Sequence, residues 1–209
     1  MTVLFVHGWG FDPGFWQPVA ERLPDFGHAF VDLGFHGAPQ VPQVERPLVV
    51  AHSMGLAWAL ANLPGPFAGV FAVNAFPRFT RAPDFVEGVA PRLIERMIAR
   101  FADEPTQVAV DFLRRCGVAE PDLAGADLDR LGSALAWLAV CDERAALAAL
   151  DCPLQALAGT HDPIVPEPLS RAAFPGASLV LAQGGGHLLP ATHPDWVAGQ
   201  LRAFAARLG

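Results

Sequence analysis

The chain has 209 residues, 52% apolar and 17% charged, enough for one large buried core and too hydrophobic for a disordered or collagen-like segment. Its formal charge of −7 excludes the net basic surface that non-specific nucleic-acid binding needs; every basic residue is arginine, and Lys and Tyr are absent. The N-terminus carries no basic leader and no stretch nears the roughly 18 apolar residues of a membrane span, so the expected compartment is the cytoplasm.

Taken in chain order, short apolar runs bounded by Gly, Pro, Asp or Asn fall at 3–6, 29–33, 48–51, 69–73, 154–158 and 178–182. They barely alternate with polar residues, the pattern of strands buried on both faces, and so predict a parallel sheet. Helix-period segments at 13–23, 53–63 and 194–208 lie between or after them, which gives an α/β sheet with right-handed crossovers. The stretch 34–46 is short and proline-rich, so that crossover is expected to be abbreviated. After Phe79 the alternation stops, and 89–101, 104–116, 128–140 and 143–150 read as helices only. We therefore expect a core made of 1–78 and 152–209, interrupted by a helical lid at 79–151.

The most specific chemistry lies at residues 48–55, where an apolar strand runs through Ala51-His52-Ser53-Met54-Gly55 into an apolar helix. A sharp strand-to-helix turn of this kind strains the central serine and demands small residues two positions either side, which Ala51 and Gly55 supply. Ser53 is thereby a candidate nucleophile. A serine ahead of an apolar helix is equally an ordinary N-cap. At the end of the first strand His7-Gly8-Trp9-Gly10 forms a glycine-flanked turn, so the backbone N–H groups of Trp9 and Met54 could make an oxyanion hole; a plain strand-exit turn has the same composition.

An acid and a base should follow the nucleophile in the order serine, acid, histidine. Asp162 lies in Gly159-Thr160-His161-Asp162-Pro163, just past the fifth run, where sites of open α/β sheets gather. The other acid position, after the fourth run, holds Asn74, which cannot carry the charge. Asp32 precedes Ser53 and reads as a loop-fixing residue. His187 follows Gly184-Gly185-Gly186, whose freedom lets an imidazole reach back over the sheet edge as general base. Of the other six histidines, His193 reads as a helix cap, His7 and His52 as supports of the site, and His28, His36 and His161 as loop residues. No H-x-x-x-H or H-E-x-x-H pattern occurs, so neither metal nor cofactor is called for. Cys116, Cys141 and Cys152 lack metal spacing and read as reduced, buried small residues.

With these pieces in order the chain resembles the α/β-hydrolase family over essentially its whole length. Within it, the chain is similar to the esterases that hydrolyse the methyl ester of pimeloyl-acyl carrier protein in biotin synthesis. The similarity is carried by His7-Gly8-Trp9-Gly10 with Phe15-Trp16, the turn around Ser53, Phe79, Phe112-Leu113 with Cys116-Gly117, Asp162 through Pro166, and His187 with His193-Pro194. It implies a Ser53, Asp162, His187 triad, Trp9 and Met54 as oxyanion donors, and a carrier-bound or small acyl ester as substrate. It also implies a sheet of about six strands, because the family's first antiparallel hairpin has no counterpart here. Ala51 and Leu56 stand where the family often has glycine.

Trp9, Phe76, Phe79, Trp137 and Leu188 are the expected lining of an apolar site under the lid, though each could be plain core. Arg92, Arg96 and Arg100 fall at four-residue spacing opposite Ile94, Met97, Ile98 and Phe101. That stripe could dock an acidic acyl carrier protein, or be a solvated helix face. A general short-chain carboxylesterase, a lyase or thioesterase with the same triad, and a non-catalytic binding member are the alternatives.

Overall fold

The structure is a computed structural model that describes residues 1–176 and 178–208. Six strands, β1 (Thr2–Val6), β2 (Gly27–Val31), β3 (Leu48–His52), β4 (Gly69–Val73), β5 (Leu154–Gly159) and β6 (Ser178–Ala182), form one sheet in the order β2-β1-β3-β4-β5-β6. Every neighbouring pair is parallel, with Val6 beside Ala51 and Val50 beside Phe71. Each run read as a strand is one, within two residues at its ends.

Parallel strands need helices on both faces, and the side chains divide accordingly. Val3, Phe5, Leu48, Val50, Phe71, Val73 and Leu157 face one way. They are covered by Trp16 of a 3-10 turn (Pro13–Trp16), by α1 (Gln17–Ala20) and by Val197, Leu201 and Phe204 of α9 (Pro194–Ala205). Leu4, Val6, Val49, Ala51, Val70, Ala72 and Ala156 face the other way, under α2 (Met54–Asn62) and α7 (Glu167–Ala173). The expected helix at 13–23 is broken into two short turns: Asp12 caps the first through Gly14, and Pro18 opens the second. Helix α7 and the four-residue α8 (Leu189–Thr192) carry too few apolar positions to announce themselves as a period.

Between β4 and β5 the chain runs through α3 (Pro91–Asp103), α4 (Pro105–Cys116), α5 (Leu128–Val140) and α6 (Arg144–Ala148). Pro91 and Pro105 sit where a missing N–H costs nothing, at helix starts. Gly117 ends α4 in the left-handed region at φ 112°. Buried Ile94, Phe101, Val108, Leu131 and Leu135 join this segment to the α2 side of the sheet. Residues 34–46 form no helix, and Asp32 fixes the start of that loop by accepting from the Gly34 N–H at 2.7 Å. Among the described residues no helix is long and apolar enough to cross a membrane.

The tightest packing lies where α2 begins. A Cβ on Gly55 would fall 2.5 Å from the His7 carbonyl oxygen and 2.8 Å from that of Val6, both backbone atoms that cannot turn aside. Gly55→Ala is expected to cost about 3 kcal/mol or more in urea unfolding. Gly199→Ala, in α9 with open space around it, should raise stability by about 0.5–1 kcal/mol in the same assay.

Candidate active site

The carboxyl ends of β1, β3, β4 and β5 converge at the point where the chain steps from β1 outward to β2 on one side and β3 on the other, the usual site position in an open α/β sheet. Ser53 connects β3 directly to α2 with φ 55° and ψ −128°, a conformation that costs a non-glycine residue about 1–3 kcal/mol. Its N–H donates to the Val73 carbonyl at 3.2 Å, and Gly8 leaves room beneath it, since a Cβ there would lie 3.0 Å from Ser53 Cβ. The hydroxyl makes no capping hydrogen bond to α2, so Ser53 is not serving as a cap. It opens instead into a cavity of about 400 Å³.

Asp162 and His187 meet over the same edge. The Asp162 carboxylate is 6% exposed and fully engaged. Oδ1 accepts from the N–H groups of Ile164 (2.7 Å) and Val165 (2.9 Å), and Oδ2 accepts from Asn74 Nδ2 (2.6 Å) and His187 Nδ1 (2.8 Å). Four donors satisfy both oxygens of this buried carboxyl group, which would otherwise be costly to bury. Because Nδ1 of His187 faces it, the imidazole proton sits there and Nε2 is left as an acceptor. Nε2 is buried and has no partner among the described residues.

Asn74, read from sequence only as an uncharged residue, proves to be the brace between acid and base. With φ 48° after β4, it donates both amide hydrogens, to Asp162 and to the Gly186 carbonyl at 2.8 Å. The signal available was an asparagine directly after a buried strand, a residue type tolerant of left-handed backbone.

Trp9 and Met54 border the same cavity as Ser53, and neither backbone N–H has a hydrogen-bond partner among the described residues. The Trp9 ring is 2% exposed, donates Nε1–H to the Leu131 carbonyl at 2.9 Å and meets Phe112 edge-on at 4.9 Å. His7 fixes this turn from below. Its Nε2 accepts from the Leu33 N–H at 3.0 Å, which leaves Nδ1–H to donate to the Gly8 carbonyl at 2.9 Å.

Of the expected lining residues, Trp9, Phe76 and Phe79 face the cavity, joined by Ile94, Met97, Phe112, Leu135 and Leu138 from α3, α4 and α5. Trp137 lies elsewhere, in a separate depression with Leu33, Phe35 and Trp58, because Leu135 and Leu138 take the inward side of α5. Leu188 is buried against Gly117 rather than bordering the cavity. Arg92 and Arg96 are exposed without ion-pair partners among the described residues, whereas Arg100 is bound to Glu104 (3.0 Å) and Asp111 (2.8 Å), so its charge is already matched. Arg81 and Arg115, not singled out from sequence, border the apolar cavity together with Glu87.

Comparison with known proteins agrees with this fold. The alpha/beta hydrolase family matches residues 3–200, and the chain belongs to that family. It is 29% identical to a pimeloyl-[acyl-carrier protein] methyl ester esterase of Stenotrophomonas maltophilia, over 99% of this chain and 93% of that protein. It is also 29% identical to the biotin biosynthesis bifunctional protein BioHC of Cellvibrio japonicus, the match taking in 79% of this chain and only 39% of that longer protein. In three dimensions it superposes on a thermophilic esterase from Thermogutta terrifontis with a TM-score of 0.79 at 21% identity, covering 100% of this chain and 90% of that one, a likeness of fold.

Asn74→Asp would bring a second carboxylate against Asp162 Oδ2, where the wild-type contact is 2.6 Å. Two carboxylates that close cannot both ionise, so one folded-state pKa rises above the unfolded value of about 3.9. A raised carboxylate pKa favours the folded state only while protonated, so the variant's stability relative to wild type should fall as pH rises above about 4. Thermal melts of both proteins from acid to neutral pH check this; parallel profiles would contradict it.

Proposed function

We propose that the chain is a serine carboxylesterase working through an acyl-enzyme intermediate, with Ser53 as nucleophile, His187 as general base and Asp162 as its orienting acid. What carries the reading is the buried Asp162–His187 hydrogen bond, which leaves a partnerless Nε2 at the sheet edge occupied by a strained, uncapped Ser53. Ser53 Oγ attacks the ester carbonyl as its proton passes to His187 Nε2, and the N–H groups of Trp9 and Met54 receive the developing oxyanion. Collapse expels the alcohol, which takes the proton from Nε2. Water then repeats the attack on the acyl-enzyme and releases the carboxylic acid. Asp162 holds Nδ1–H throughout, fixing the tautomer and stabilising the transient imidazolium.

The cavity supports an acyl substrate: aromatic and aliphatic side chains line most of it, while Arg81, Glu87 and Arg115 are its charged groups. We assign residues 79–151 the part of a lid, since α3, α4 and α5 supply much of that lining. The relatives' names favour the methyl ester of pimeloyl-acyl carrier protein as the particular substrate. An acidic carrier would meet Arg92 and Arg96 on the outer face of α3 and Arg81 and Arg115 beside the cavity; Arg100, already paired, drops out of that surface.

Ser53→Ala should lower ester hydrolysis by about a thousandfold or more and abolish fluorophosphonate labelling, with the circular dichroism spectrum unchanged. Retained turnover would remove the serine mechanism. Reversing Arg92 and Arg96 to Glu should weaken hydrolysis of a carrier-bound methyl ester about tenfold, mostly through KM, and flatten its salt dependence. Graded p-nitrophenyl esters serve as the comparison: an equal loss on those would point to a general short-chain esterase with no carrier docking.

A further inference from the structure

The glycine run that lets His187 reach the site is anchored at its start, where the Gly184 N–H donates to Thr160 Oγ1 at 2.9 Å and the Gly185 carbonyl accepts from the His161 N–H at 2.9 Å. Gly184 has φ 74°, and glycine loses more conformational freedom on ordering than any other residue, so the loop must be pinned by contacts outside itself. Two side chains do so on consecutive carbonyls: Asn74 holds that of Gly186, and His52 Nε2 lies 3.0 Å from that of His187. His52 is the last residue of β3 and the immediate neighbour of Ser53. One residue therefore bears the nucleophile's turn on its backbone and grips the histidine loop with its side chain.

We infer that His52 is a positioning residue, an imidazole that donates Nε2–H to the His187 carbonyl and so keeps the proposed base in register with Ser53; this rests on the reading of His187 as that base. A carbonyl oxygen only accepts, so the proton of His52 resides on Nε2. Nδ1 is buried with no partner among the described residues, and a Cβ on Gly8 would lie 2.9 Å from it, so a second proton would have no acceptor there. The ring is wholly buried, against Phe15 at 4.4 Å and His187 at 4.6 Å between centroids. Burial first, and then the nearby His187, hold its pKa well below the ordinary histidine value. A neutral ring suits the place, because His187 becomes cationic in each half-reaction and a charged neighbour would oppose it. A purely apolar residue would fill the volume but leave the buried His187 carbonyl without the His52 donor.

His52→Phe and His52→Gln separate packing from donation. The Phe variant should lose about tenfold to a hundredfold in kcat on a soluble ester with KM within about twofold, because a displaced base slows the chemical step and leaves the cavity intact. Gln, which keeps an amide donor, should recover most of that loss. In nitrogen-15 spectra the wild-type ring should remain one neutral Nε2–H tautomer from about pH 5 to about pH 9. The low-field proton shared by His187 and Asp162 should be sharp in wild type and the Gln variant and broadened in the Phe variant. Wild-type kcat in His52→Phe, no rescue by Gln, or a His52 ring that titrates near neutrality would each overturn the assignment. If the Phe variant does not fold, the wild-type tautomer and the Gln variant still decide it. Activity surviving in Ser53→Ala would strike instead at the base role of His187, which the His52 spectra do not depend on.

Discussion

The approach of the first turn of α2 to the end of β1 is the constraint on which the rest depends. Backbone meets backbone there: Gly55 faces the Val6 and His7 carbonyls, and Gly8 passes under Ser53. No side chain longer than hydrogen fits at Gly55 without moving main chain, and one at Gly8 would crowd the His52 ring and Ser53 Cβ. The contact forces the connection from β3 into a single residue, and that residue is driven into the left-handed half of the Ramachandran plot. Strain of about 1–3 kcal/mol at Ser53 is sustained because β3 and the start of α2 are wholly buried around it. The same crowding brings Trp9, Ser53 and Met54 to the border of one cavity.

Around that contact the molecule concentrates its buried polar groups. His7, His52, Asn74, Asp162 and His187 are all buried at the carboxyl edge of the sheet. Each links two elements: His7 ties the β1 turn to Leu33, Asn74 and Asp162 tie β4 to the loop after β5, and His52 ties β3 to the loop after β6. Buried polar groups are costly unless partnered, so such a network fixes one arrangement of strand ends and resists others. Within this network, and among the described residues, Asn74 Oδ1, His52 Nδ1 and His187 Nε2 have no hydrogen-bond partner, and of these only the last has a chemical task in the mechanism proposed.

The helical segment is joined to this edge through Trp9. Its indole donates to Leu131 of α5 and packs edge-on against Phe101 of α3 and Phe112 of α4. The turn after β1 therefore shares a side chain with the wall of the cavity, and displacement of those helices would be felt at the proposed oxyanion donor. Arg81 and Arg115 border the cavity and Arg92 and Arg96 are exposed on α3, while the rest of the cavity lining is mostly apolar. That combination suits an ester whose reactive end is hydrophobic and whose other end is attached to something acidic.

The six strands were legible residue by residue, because runs buried on both faces are apolar without alternation, and a strand end followed by glycine or a polar turn has a local signature. Ser53, Asp162 and His187 were legible for the same reason: each stands beside a strand end, in an order that the hydrolase chain path imposes. Only the tertiary structure decided the rest. Asn74 and Asp162 are 88 residues apart in the chain and 2.6 Å apart in space, a pairing set by the β4–β5 register rather than by either residue's neighbours. The direction of the Trp137 side chain, the pairing of Arg100, and the grip of His52 on the loop after β6 likewise depend on how helices and loops rotate against one another. A period in the sequence gives the face of a helix, not the residue it meets. Even the reading of Ser53 as the proposed nucleophile needed the fold, since a serine before an apolar helix becomes something other than a cap only when Gly55 meets the carbonyls at the end of β1 and the chain bends at Ser53.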